Sequence, residues 1–370
     1  MVNKQRILDE FLELVKIDSE SKFEGAIAKV LKEKFTALGL EVIEDDSAAS
    51  TGHEAGNLIC TLKGNKQGVD TIHFACHMDT VTPGNGVKPS IDNDKVITDG
   101  TTILGADDKA GIAAMLEAIR VLKENKIEHG DIQFIITVGE EIGLIGAKAI
   151  DPNMLKAKFG YALDSGGPVG SMVTAAPTLA VITAEIHGKT AHAGVAPEEG
   201  VSAITIAAKA IASMPLGRLD EDTTANIGII EGGKATNIVC DYVKVVAEAR
   251  STVADKMELQ AQVMKDAFER CAMQMGGEAK VTITISCPAF KLSADDEVVQ
   301  VAIRAAKKIG RTSELLKSGG GSDANIFAGF NIPTTNLCVG YEEIHTTNEK
   351  MPIGELVRIT ELVVAIAEEV

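Results

Sequence analysis

The sequence predicts an α/β fold, a mostly parallel sheet covered by helices, with a ferredoxin-like βαββαβ domain inserted in it. Two observations predict the sheet. Apolar runs such as IHFA, FIITV and YAL read as strands buried on both faces, and segments of helical period separate them. A third predicts the insertion: from about Ala175 the order becomes strand, helix, strand, strand, helix, strand. After Pro288 the alternation of helix and strand resumes. Residues 1–175 and 288–370 are therefore expected to form one large domain, and residues 176–287 a lid or dimerisation domain.

Ile7, Leu8, Phe11, Leu12 and Val15 recur at helical spacing and predict a helix over 4–16. Ser21 and Glu24 stand at capping-box spacing at the start of a second helix, 22–38. Strands follow over 57–63 and 70–76, then a helix over 108–124 and strands over 131–138 and 159–163. In the insert the pattern gives strand 178–187, helix 200–213, strands 224–230 and 237–249, helix 254–275 and strand 280–286. The last stretch reads as helix 294–309, strand 313–316, helix 322–329, strand 334–339 and helix 353–368.

Composition narrows the partners. A chain of 370 residues that is 45% hydrophobic can bury a sizeable core, and a net charge of -17 excludes nucleic acid and anionic membrane as partners. No apolar run reaches the about 18 residues of a membrane span, so a cytoplasmic location is expected. Six cysteines with no CxxC spacing read as buried, reduced thiols.

Polar residues stand just beyond the apolar strands: His77 and Asp79 after IHFAC, Glu140 and Glu141 after FIITVG, Asp164 after FGYAL and His345 after TNLCVGYEEI. Asp107 opens the helix DDKAGIAAMLEAIRVL. Each alone reads as a helix cap or a solvated loop charge. Repetition at successive strand ends points to one rim, where α/β sheets bind ligands. Two histidines with several carboxylates suit zinc, cobalt or manganese, and no thiolate set competes. The spacing of HMD places Asp79 where it can accept a hydrogen bond from the ring nitrogen of His77 that faces away from a metal.

HMDT, GADDKAG, GEEIG, ALDSG, GKTAHAG and GYEEIHTTNE occur in this order in the di-zinc metallopeptidases that include peptidase T, carboxypeptidase G and the aminoacylases, which the chain resembles from about Glu10 to Ile366. The resemblance implies His77, Asp107 and Asp164 as ligands of one zinc, and His345, Asp107 and Glu141 as ligands of the other. Asp107 would bridge, Asp79 would stand behind His77, and Glu140 would be the general base toward a water shared by the ions. It further implies His192 as oxyanion donor from the inserted domain, which is also the expected surface of a homodimer. Asn237 and Arg250 are expected to bind peptide backbone or a carboxylate, and Gly320 and Ser322 of SGGGSDA to approach the substrate closely. An aspartate at Asp164, with GADDKAGIA and GGGSDA, is most similar to peptidase T, so removal of an N-terminal residue from short peptides is the expected activity. Two departures from peptidase T, HAG in place of His-Pro-Gly and a final histidine set in HTTNE, make tripeptidase-like a better description than tripeptidase. The alternatives are a deacylase or carboxypeptidase acting on N-acyl amino acids through the same site, and a non-enzymatic nucleotide-binding α/β module using SGGGS.

Overall fold

The computed structural model describes residues 1–370. Helix α1 (Lys4–Leu14) buries Ile7, Leu8, Phe11 and Leu14, and the Asn3 side chain caps it by accepting from the Gln5 and Arg6 amides. Helix α2 (Gly25–Ala37) starts at Gly25 and has no side-chain cap, which corrects the expected capping box. Ser21 Oγ instead donates to Asp79 at 2.7 Å, and Glu24 pairs with the buried His53 at 2.8 Å. Strands β1 (Glu41–Glu44), β2 (Leu58–Leu62) and β3 (Ile72–His77) lead to helix α3 (Ala106–Glu124). Strands β4 (Ile132–Thr137), β5 (Phe159–Ser165) and β6 (Met172–Ala176) complete the first stretch.

The inserted elements are β7 (Thr178–His187), α4 (Ala203–Ser213), β8 (Thr223–Gly232), β9 (Tyr242–Ser251), α5 (Ala254–Gln274) and β10 (Glu278–Cys287). The chain returns through α6 (Glu297–Lys308), β11 (Leu315–Lys317), α7 (Asp323–Gly329), β12 (Thr334–Cys338) and α8 (Ile353–Glu369). Packing divides the chain into two units: Met1–Ala175 with Leu292–Ser318 and Ser322–Val370, and Ala176–Lys291 with Gly319–Gly321.

In the larger unit the strand order is β1-β2-β4-β3-β5-β12-β6, with β11 beside β6. The middle four, β4-β3-β5-β12, are parallel, and antiparallel pairs flank them. Alternate residues of these central strands enter different cores, as double coverage requires. Ile72, Phe74 and Cys76 of β3 join the main core with α1, α3, α6 and α8, whereas Ala75 joins a smaller cluster with Phe327 of α7. In the smaller unit the antiparallel order is β8-β9-β7-β10, and one face is covered by α4 and α5 through residues such as Ile182, Val245, Ile206 and Phe268. Strand β9 begins at Tyr242, later than the pattern predicts, because Ile238 bridges to His192 and the Val239 amide donates to Ala191. All six cysteines are free and buried. No helix is long and apolar enough to cross a membrane.

Candidate metal centre

Register brings the strand ends level. His77 lies opposite Thr137 at the ends of β3 and β4, so the turn carrying Glu140 and Glu141 leaves the sheet beside HMD. Ala75 lies opposite Ala162, which sets Asp164 level with His77 on the next strand. Asp107 precedes the regular part of α3, since Asp107 and Asp108 both depart from helical backbone angles. His345 sits in the loop after β12 in left-handed backbone, φ 62, a conformation costly for a side-chain-bearing residue and frequent at functional loops.

The two oxygens of Asp107 face different histidines. Oδ1 is 3.1 Å from His77 Nε2, and Oδ2 is 3.3 Å from His345 Nε2. His345 Nε2 also lies 3.0 Å from Glu141 Oε1, and His77 Nε2 lies 3.6 Å from Asp164 Oδ1. Donor atoms of His77, Asp107 and Glu141 fall within 4.8 Å of one another, as do those of His77, Asp108 and Asp164. Asp108 was not expected in this cluster; it is fully buried.

The electrostatics are those of an acidic site short of positive charge. Burial first, then the Asp107 charge, pushes the Asp164 carboxyl up to about 8. Burial and then Asp164 push Asp108 and Glu140 well above the ordinary carboxyl range. Burial also opposes the charged form of Asp107, yet hydrogen bonds with His345 and His77 hold its pKa below the usual value. His345, hydrogen-bonded to Asp107 and Glu141, is raised to about 10. Imidazole nitrogens and carboxylate oxygens without a thiolate fit a divalent ion such as zinc, cobalt or manganese, and two such ions would supply the missing charge.

Asp79 stands behind His77 through both its backbone and its carboxylate. His77 Nδ1 hydrogen-bonds to the Asp79 backbone carbonyl at 2.9 Å, while the nearer Asp79 carboxylate oxygen is 3.5 Å away. That carboxylate is also engaged elsewhere: it accepts from the Glu140 amide at 2.9 Å, the Glu141 amide at 3.3 Å and Ser21 Oγ. One carboxylate thus fixes the backbone of both glutamates.

Several supporting residues escaped the sequence. Asn336 clasps the backbone of Asp164, accepting from its amide at 2.9 Å and donating to its carbonyl at 2.8 Å, where the β5–β12 ladder slips register. Tyr341 OH lies 3.4 Å from Asp164 Oδ1. Buried Asp323 accepts from Thr137 Oγ1, just before the glutamate turn. Tyr341 lies inside GYEEIHTTNE and Asn336 shortly before it, yet neither residue type by itself signals contacts made between strands.

His192, Asn237 and Arg250 lie in the smaller unit. His192 and Asn237 are exposed on facing segments, joined by the Ala193 amide donating to the Asn237 carbonyl at 3.0 Å. Arg250 is already paired: Nε and Nη2 donate to the two oxygens of Glu248, and Nη1 donates to the Gly319 carbonyl at 3.0 Å. Gly320 belongs to the same unit. Ser322 is buried at the N-terminus of α7, its amide donating to Asn325 Oδ1 at 3.0 Å.

Residues 73–369 match the peptidase family M20/M25/M40. The chain belongs to this family of peptidases. It is similar to YqjE of Bacillus subtilis, 67% identical over 369 residues that span 100% of this chain and 99% of that protein. The structure of aminopeptidase PepT from Bacillus cereus matches with a TM-score of 0.94 at 65% identity, covering 100% of this chain and 99% of that one. A tripeptidase from Staphylococcus aureus matches with a TM-score of 0.96 at 52% identity, covering 100% of this chain and 98% of its own.

Proposed function

We propose that this M20 peptidase is a di-metal aminopeptidase of short peptides, tripeptidase-like in its choice of substrate. The observation that carries the reading is Asp107, with one oxygen toward His77 and the other toward His345, as a carboxylate shared by two ions would be. His77, Asp107 and Asp164 would hold one ion, and His345, Asp107 and Glu141 the other. Bound divalent ions would supply Lewis acidity for the scissile carbonyl and acidify water at the site. The PepT aminopeptidase and tripeptidase named above support the choice of substrate.

The chain's own groups divide the work. Glu140 accepts the proton of the attacking water and delivers it to the leaving amine. Its pKa is raised first by burial and then by Asp164, and neighbouring cations would lower it. Asp79 holds the Glu140 and Glu141 amides, so the base and its neighbouring ligand keep a fixed relation. His192 is assigned the oxyanion contact, and Asn237 with Gly320 the peptide backbone. Arg250 would serve the substrate through the Gly319 carbonyl it holds, since Glu248 occupies its fork.

Metal-loaded protein incubated with tripeptides, dipeptides and N-acyl amino acids tests the reading. Release of N-terminal residues from tripeptides is expected; turnover of acyl substrates alone would replace it with the deacylase alternative. Membership of a peptidase family sets the nucleotide-binding alternative aside. Strand β8 supports a homodimer, with Ile229 and Ile230 exposed along it. Sedimentation as a monomer at working concentration would refute that assembly.

A further inference from the structure

We infer that Glu349 is a positioning residue that locks Asp107 to the loop bearing His345; the inference rests on the di-metal reading above. Glu349 is 2% exposed, and its carboxylate accepts three backbone hydrogen bonds from one short segment of the larger unit. Oε2 takes the Leu104 amide at 2.7 Å and the Gly105 amide at 2.8 Å, and Oε1 takes the Asp107 amide at 3.1 Å. These amides belong to the entry to α3, where Gly105 is left-handed at φ 73 and Asp107 and Asp108 are not helical. Beyond the long Lys109 N to Gly105 carbonyl bond at 3.4 Å, regular helix geometry does little to organise such backbone. A buried carboxylate with three charge-assisted bonds organises it.

The other end of Glu349 is equally tied. Its amide donates to the Thr346 carbonyl at 3.1 Å, and Thr346 Oγ1 donates to the Glu343 carbonyl at 2.7 Å. Glu342 and Lys350 exchange backbone hydrogen bonds across the loop base. His345 and Glu343, both left-handed, lie inside this closed loop. Glu349 is therefore the direct link between two segments that are remote in sequence and must present Asp107 Oδ2 and His345 Nε2 3.3 Å apart. A shift of either segment would open the space between donors, and metal ligands tolerate deviations of only about 0.2 Å.

Glu349→Gln keeps the volume and one acceptor oxygen, but its NH2 group faces amide donors, so at least one of the three bonds is lost. Loss of such a support typically weakens metal binding about 10- to 100-fold. The test is calorimetric titration of metal-stripped, full-length protein with Zn2+, paired with the visible absorption of the Co2+-loaded form. Glu117→Gln is the control, because Glu117 is equally buried yet pairs with Arg6 and Arg120, away from the site. The expected result is a weaker Zn2+ affinity and an altered Co2+ spectrum in E349Q. E117Q should melt earlier with affinity and spectrum unchanged. A folded E349Q with wild-type affinity and spectrum would overturn the inference while leaving the di-metal reading intact. Absence of Zn2+ uptake by the wild type would overturn that reading and the inference together. Glu349→Ala removes all three acceptors and is expected to weaken binding further; where it fails to fold, E349Q decides.

Discussion

At the residue scale, the adjacent glutamates Glu140 and Glu141 share one amide acceptor, Asp79, and the proposed function gives their side chains different duties. Glu141 Oε1 reaches His345 Nε2, whereas Glu140 is half-buried and its charge is opposed by that of Asp164. Glu140→Gln is therefore expected to keep its metal and lose turnover by at least about a hundredfold, since shape is preserved and the base removed. Glu141→Gln is expected to lose metal, measured by elemental analysis of the purified variants. Equal metal content in both, with equal activity loss, would contradict the division. A second residue gives a pH effect away from the site. His73 is fully buried, its ring 4.8 Å from that of Phe327 and its Nε2 3.3 Å from Thr334 Oγ1, and burial lowers its pKa to about 3. A folded-state pKa below the unfolded 6.5 means that the unfolded chain binds the extra proton between about pH 6.5 and 3. Stability is thus full above pH 6.5 and falls on acidification, by about 1.4 kcal/mol per pH unit from this group. Urea midpoints at pH 7 and pH 5 should show a smaller drop in His73→Leu than in the wild type.

At the element scale, the turn TVGEEIG depends on a glycine. Gly139 has φ 58, and a Cβ there would lie 2.3 Å from His53 Cε1. His53 cannot yield easily, because its Nδ1 is tied to buried Glu24. Gly139→Ala should cost roughly 1–3 kcal/mol in strain and displace Glu140, lowering kcat by more than about tenfold with a smaller change in KM. Unchanged kcat in a folded variant would show that the turn absorbs the methyl group. The same elements show what a sequence makes legible. IHFAC, FIITV and FGYAL announced their strands because both faces are buried, and residues at their ends come together in the candidate cluster. Strand β1, EVIE, was not legible, being short and mostly exposed, and neither was β6, which follows a glycine-rich turn. The capping-box pattern misled for a tertiary reason: Ser21 is bonded to Asp79 and Glu24 to His53. Asn336, Tyr341 and Glu349 stayed hidden because their contacts join segments that only the folded sheet brings together.

At the scale of the whole molecule, the candidate ligands come from β3, the entry to α3, the turn after β4, the end of β5 and the loop after β12, spanning positions 77 to 345. Ions held by this set would cross-link most of the larger unit's sequence and neutralise carboxylates that otherwise repel one another. Binding to the folded state alone stabilises by about 2.7 kcal/mol for each site at a free-metal concentration of 100 times Kd. Zn2+ is therefore expected to raise the apparent melting temperature of the metal-stripped protein by several degrees, and a chelator to reverse the shift. Glu141→Gln should respond less than the wild type, because one ligand is gone, while Glu140→Gln should respond fully. Scanning fluorimetry on the three proteins, with and without Zn2+, checks the prediction. A melting temperature indifferent to metal in the wild type would mean that the carboxylate cluster is stable without ions and that the di-metal reading is wrong.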